Sequence, residues 1–203
     1  GNELVRLAGS HARGAIIMNA GDMKSTEERI ESTKREVDDL QAFGFLAEEL
    51  DLRNYFGKPE ELESELKKFD FVWVRGGNTF ILKRAFEKSG FGDIIIKRLK
   101  EDSIVYSGYS AGVVILAPSM HGLEIVDDPN ELPLGYTKEF NWDGLGILPY
   151  SVAVHYKSEH PESAGVDQEI QYCIDNDIPY KTLRDGEVIV IEGDKETFLN
   201  LKS

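Results

Sequence analysis

Residues 108–112 read Gly-Tyr-Ser-Ala-Gly and fit the pattern G-x-S-x-G. The apolar run 103–109 leading into it has the character of a buried strand, and the run after it that of a short helix stopped by Pro118. A serine on such a strand-to-helix turn is lifted out of the sheet with its hydroxyl presented, as a nucleophile requires. Flanking glycines relieve the crowded backbone. The Ala111 N–H would face the carbonyl oxygen of a substrate attacked by Ser110, and the helix start adds partial positive charge there. The same small residues also suit plain close packing of a helix on a strand, so the pentapeptide alone leaves both readings open. Ser107, without glycines on both sides, reads as a packing residue.

A serine nucleophile needs a base. Of His11, His121, His155 and His160, only His155 ends a strand-like run, 146–156. The ends of parallel strands line the crevice where α/β proteins bind ligands. A second glycine turn, Arg75-Gly76-Gly77-Asn78-Thr79, also follows a strand and opens a helix. Its N–H groups are candidates for a second oxyanion donor, or simply a glycine-rich helix cap. It is not a phosphate loop, because neither G-x-G-x-x-G nor a G-K-[ST] ending is present. His155 and His160 match no zinc spacing, and Cys173 sits alone in a helical apolar run that reads as core. No metal and no cofactor is expected.

The elements that must position these groups alternate. Strand-like runs at 15–20, 46–52, 69–77 and 103–109 are separated by helical ones. Ser25 with Glu28 forms a capping box ahead of a helix whose apolar stripe is Ile30, Val37, Leu40 and Phe43. Pro59 opens a second helix, Asn78 caps a third, and 91–102 forms a fourth. A long Pro- and Gly-containing stretch runs from Pro118 to about Gly144, a length that often signals function. Residues 162–177 read as a helix, and the remainder as short strands joined by Asp-Gly and Gly-Asp turns. Such alternation predicts an α/β fold with a mostly parallel sheet covered on both faces, as one domain over 1–203.

The net charge of −14 and the absence of a basic cluster argue against nucleic acid and against anionic membrane surfaces. No apolar run reaches a membrane span, and the start has no signal-like segment. A single cysteine excludes an internal disulfide and fits a cytoplasmic location. The chain opens on Gly-Asn rather than Met, which leaves open an N-terminal strand ahead of the residues given.

Taken together, "VRGGNTFIL" (74–82), "YSGYSAGVVIL" (106–116) and "LPYSVAVHY" (148–156) resemble the peptidase E family of serine peptidases, which includes aspartyl dipeptidase. The resemblance implies a three-layer, class I glutamine amidotransferase-like (flavodoxin-like) scaffold, with serine in the place of that scaffold's cysteine. It implies Ser110 as nucleophile, His155 as general base and the N–H groups of Gly77 and Ala111 as oxyanion hole. The family completes its triad with an acid in the loop after the nucleophile. At the spacing of its aspartate this chain has Ile125, so Glu124 is favoured, with Asp127 and Asp128 as runners-up. The arginine that reads an acidic substrate side chain in aspartyl dipeptidase has no counterpart in 164–168; Arg75 and Lys157 are the substitutes, and a preference for N-terminal Asp is not expected. The implied activity is hydrolysis of short peptides, with a small peptide as partner and a homodimer left open. The alternatives are a serine esterase or amidase of other specificity, and a non-catalytic binding protein on the same scaffold.

Overall fold

The computed structural model describes residues 1–200 of the chain. The elements run α1 (Asn2–Ala8), β1 (Arg13–Ile17), α2 (Thr26–Ala42), β2 (Leu46–Glu49), α3 (Pro59–Leu66), β3 (Phe71–Val74), α4 (Thr79–Ser89), α5 (Phe91–Lys100), β4 (Val105–Gly108) and α6 (Ala111–Val114). After a long connection come β5 (Ser151–Ala153), α7 (Ser163–Asp175), β6 (Tyr180–Thr182), β7 (Glu187–Glu192) and β8 (Lys195–Asn200).

Strands β2-β1-β3-β4 form one sheet, and every pair in it is parallel. Its side chains alternate between two cores. Ala15, Ile17, Val72 and Val74 face Leu62, Leu82, Phe86, Phe91 and Ile95 of α3, α4 and α5. Ile16 and Phe71 face the other way, onto Leu4 of α1 and Leu40 of α2. The sheet is therefore the middle of three layers, and strands buried on both faces read as continuous apolar runs. A separate parallel pair, β5-β6, and an antiparallel hairpin, β7-β8, complete the described residues. No helix among them is long and apolar enough to cross a membrane.

The local signals in the chain act as expected at the helix starts. Ser25 accepts from the Glu28 N–H while the Glu28 carboxylate accepts from the Ser25 N–H. Pro59 is the first residue of α3, and the Asn78 side chain accepts from the N–H groups of Phe80 and Ile81. The expected stripe on α2 is shorter than its sequence suggests. Leu40 is buried and Val37 packs beside it, but Ile30 and Phe43 are largely exposed, the buried side of α2 being that of Ser32 and Leu40. The run 146–156 yields just the three residues of β5, and α1 is a helix the periodicity did not reveal.

The long connection is pinned rather than loose. Arg84 of α4, only 1% exposed, donates to the carbonyl oxygens of Pro129 (2.7 Å) and Lys138 (3.0 Å) and lies over the Phe140 ring. Phe140, tilted, and Trp142, edge-on, in turn pack against the Phe80 ring. No carboxylate pairs with this guanidinium among the described residues, and its burial lowers its pKa. Its role is to satisfy loop carbonyls, each such charged hydrogen bond contributing about 1.5–3 kcal/mol. Replacement Arg84→Met should therefore lower stability by about 1–3 kcal/mol and speed proteolytic cleavage between residues 129 and 138. Unchanged cleavage would show that the aromatic contacts alone hold the loop.

Candidate active site

Ser110 follows β4 and caps α6 with φ 49° and ψ −120°. A positive φ is uncommon for a side-chain-bearing residue and costs about 1–3 kcal/mol; such outliers cluster at functional sites. The neighbouring glycines explain how the chain holds it. A Cβ on Gly108 would lie 2.6 Å from the Val74 carbonyl oxygen, and one on Gly112 would lie 2.3 Å from the same atom. Both glycines of the pentapeptide thus let β4 and α6 close onto β3. A Cβ on Gly76 would lie 2.7 Å from Ser110 Cβ, so the second glycine turn abuts the serine directly. Gly77 has φ +145°, and a Cβ there would collide with the Ala20 carbonyl at 2.5 Å. Neither the Gly77 nor the Ala111 N–H donates to a backbone carbonyl among the described residues.

His155 lies two residues past β5, also at positive φ, 58°. Its Nδ1 is 2.7 Å from Asp185 Oδ1. Asp185 stands three residues past β6, which pairs in parallel with β5, so adjacent strand ends bring the two together. The Asp185 N–H donates to Ser158 Oγ and fixes the turn. His155 Nε2 is buried without a hydrogen-bond partner, and the Ser110 hydroxyl is not bonded to it in this conformation. Glu162 Oε2 lies 4.0 Å from that nitrogen, and the His160 ring stacks on His155 at 3.7 Å.

Ser110, Ala111 and Thr79 line one narrow cavity together with Val154, the residue before His155. Asp127, Glu162 and Glu169 bring three carboxyl groups to the same cavity. Burial raises the Asp127 pKa although its carboxylate accepts from the Thr79 N–H at 2.8 Å. Burial, with Asp127 and Glu162 nearby, pushes the Glu169 carboxyl up to about 8.

The acid favoured from spacing is placed elsewhere. The Glu124 carboxylate accepts from the Gly122 N–H at 2.7 Å, and the carboxylate on His155 is that of Asp185. The physical reason is the 3-10 turn Leu123–Ile125, which ties Glu124 to its own loop. Asp128 is also local, accepting from the Asn130 N–H. Of the proposed substitutes for a substrate-reading cation, Arg75 is engaged by Glu36 at 3.2 Å and by the Gly76 carbonyl, and Lys157 lies over the Tyr156 ring. Asp185 is a site residue that sequence reasoning missed, because only the pairing of its strand with the histidine's strand brings it there. His155, His160 and Glu162 bring three ligand-type atoms within 4.8 Å. The two rings are within 9° of parallel, so no single ion can lie in both ring planes, as imidazole ligation requires.

The three-layer fold with a strained serine between strand and helix, at the carboxyl ends of a parallel sheet, is the architecture of an α/β protein whose reactive groups sit at its strand ends. The chain belongs to peptidase family S51, whose model matches residues 4–199. It is 30% identical to an uncharacterised peptidase of Listeria monocytogenes, over 59% of this chain and 55% of that one. It is 30% identical to peptidase E of Streptomyces coelicolor, over 65% and 53%, and 27% identical to a Drosophila melanogaster chain assigned as an alpha-aspartyl dipeptidase, over 80% and 64%. The match thus spans between half and two thirds of the length of these relatives. The fold is shared with a Listeria monocytogenes crystal structure assigned to peptidase E, at TM-score 0.76 and 24% identity, over 95% of this chain and 87% of that one.

Glu169 makes the site pH-sensitive in stability. Its folded pKa, about 8, lies above the unfolded value of 4.5, so the folded chain holds the extra proton between these limits. Stability from this group is full below about pH 4.5 and declines as pH rises to about 8. Glu169→Gln removes that decline: the variant's melting temperature should gain on the native chain's from pH 5 to about pH 8 and then level off. A constant gap would show that Glu169 is not buried as described.

Proposed function

We propose that the chain is a serine peptidase acting on short peptides, with Ser110, His155 and Asp185 as its triad. The observation that carries the reading is the strained Ser110 turn sharing a cavity wall with the residue next to a carboxylate-held histidine. Ser110 Oγ attacks the scissile carbonyl carbon. His155 Nε2 takes the hydroxyl proton and returns it to the leaving amine. Asp185 holds the imidazole in the tautomer with the proton on Nδ1, so that Nε2 is the basic nitrogen. The unpartnered Nε2 is free for this, and the serine hydroxyl must come within about 3 Å of it, an approach commonly completed only when substrate binds. Gly77 and Ala111 supply the N–H groups for the tetrahedral oxyanion, each worth about 100- to 1,000-fold in turnover. The reaction needs neither metal nor organic cofactor.

The reading takes the chain as a single α/β domain, with a short peptide as its partner and no nucleic acid. A reduced, cytoplasmic setting accords with the one buried, unpaired thiol, Cys173. Self-association as a homodimer is a separate matter for solution scattering.

Amine release from a dipeptide and tripeptide panel tests the assignment. Ser110→Ala should abolish turnover, and Asp185→Asn should lower kcat by roughly 100- to 10,000-fold through the wrong tautomer. Glu124→Gln should stay within about twofold, in line with surface changes distant from the chemistry. A large loss in Glu124→Gln with none in Asp185→Asn returns the acid to the loop after the nucleophile. Absence of both turnover and organophosphonate labelling at Ser110 sinks the catalytic reading.

A further inference from the structure

We infer that Arg75 is a positioning residue for the oxyanion hole: its guanidinium grips the Gly76 carbonyl oxygen and so sets the direction and strength of the N–H in the same peptide unit, that of Gly77. This rests on the assignment of Ser110 as nucleophile and of Gly77 as oxyanion donor.

The peptide bond between Gly76 and Gly77 is trans. Its C=O and N–H therefore point in opposite directions within one plane. Arg75 Nη1 donates to the Gly76 oxygen at 2.9 Å. With that oxygen held, the plane resists turning, and the Gly77 N–H is fixed on the opposite side. A peptide between two glycines needs such a hold more than most, because neither residue restricts its own dihedrals. A charged donor on the carbonyl also polarises the amide and makes its N–H the stronger donor.

The surrounding bonds leave this N–H free at the helix start. Asn78 donates to the Ala20 carbonyl at 2.9 Å and Thr79 to the Asp127 carboxylate at 2.8 Å. Phe80 and Ile81 donate to the Asn78 side chain. The Gly77 N–H has no acceptor among the described residues, and Gly77 is exposed where a ligand can reach it.

Arg75 is not posed for its carboxylate neighbour alone. Its Nε stands 3.2 Å from Glu36 Oε1, yet it is buried without a hydrogen bond. A guanidinium paired only with a carboxylate favours the two-pronged arrangement, which Arg75 forgoes for the Gly76 oxygen. Glu36 serves as the anchor. It accepts from Trp73 Nε1 at 2.8 Å and from the hydroxyl of Tyr109, the residue before Ser110. The serine turn and the glycine turn thus share one anchor, and the Arg75 and Glu36 side chains are only 18% and 14% exposed, so water competes little for it.

Steady-state kinetics on the panel peptide that the native protein hydrolyses fastest tests the role. Arg75→Met, which keeps the aliphatic stem, should lower kcat by about 10- to 100-fold, less than the loss of a whole oxyanion donor. KM should stay within about threefold, because the oxyanion exists only in the transition state. Calorimetric binding of the same peptide to the Ser110→Ala protein should likewise change by no more than about threefold when Arg75→Met is added. Arg75→Lys keeps the charge but not the planar fork, and should lose about three- to tenfold in kcat. Guanidinium chloride should restore part of the kcat of Arg75→Ala where sodium chloride at the same concentration does not. Unchanged kcat in Arg75→Met overturns the inference, as does unchanged kcat in Arg75→Lys where the methionine variant does not fold. A loss carried by KM and by binding to Ser110→Ala also overturns it, since Arg75 would then read the substrate. Ser110-dependent turnover that is indifferent to Arg75 removes this inference alone. A native protein that neither hydrolyses a panel peptide nor takes an organophosphonate at Ser110 removes the nucleophile, and the inference falls with it.

Discussion

The Val74 carbonyl oxygen is the point on which the candidate site turns. It accepts from the Tyr109 N–H at 3.1 Å, and the Cα atoms of Gly108 and Gly112 crowd against it so closely that a Cβ at either position would overlap it. The chain must therefore leave β4, reverse and start α6 within a few residues, with β3 as the template. Ser110 sits at the apex and takes up the rotation as a positive φ. Backbone strain of this size persists only where the surroundings over-determine it, and here the β3–β4 register and the buried α6 residues do so. The packing and nucleophile readings of Gly-Tyr-Ser-Ala-Gly are thus not rivals. The glycines pack, and by packing they force the serine outward.

The same template links the second glycine turn. Gly76 and Gly77 follow Val74 after Arg75 and fit between the serine turn and the Ala20 carbonyl, where neither has room for a side chain. Two backbone N–H groups, those of Gly77 and Ala111, consequently flank the serine without backbone partners among the described residues. Under the proposed mechanism they are the oxyanion donors, preorganised by the close fit of three strands' ends. Arg75 reinforces the arrangement: it pairs with Glu36, which also accepts from Trp73 and Tyr109, so β3 and the residue before Ser110 are tied to α2.

What could be read from the sequence follows the range of the interactions involved. The three helix starts at Ser25, Pro59 and Asn78 depend on contacts within a single turn and were legible, as were the four strands of the parallel sheet, the central β1 and β3 as apolar runs buried on both faces and the edge strand β2 as a half-buried one. The extent of the α2 stripe was not, because burial of Ile30 and Phe43 depends on which side of the helix is covered. The partner of His155 was harder still. Asp185 lies 30 residues away, and only the β5–β6 pairing shows that the two strand ends are neighbours. Likeness to the family directed attention to the loop after the nucleophile, where Glu124 binds its own turn and Asp127 turns inward to Thr79.

That division of acids has an electrostatic logic. Asp185 meets Nδ1, while Glu162 lies near Nε2, so the imidazole is flanked by carboxyl groups on both edges. The two contacts differ in kind. Asp185 makes a hydrogen bond at 2.7 Å and so sets which ring nitrogen carries the proton, whereas Glu162 stands 4.0 Å from Nε2 and makes none. Under the proposed mechanism this leaves Nε2 as the nitrogen that meets the serine hydroxyl. The pairing of β5 with β6 makes the difference, because it fixes Asp185 at one edge of the ring.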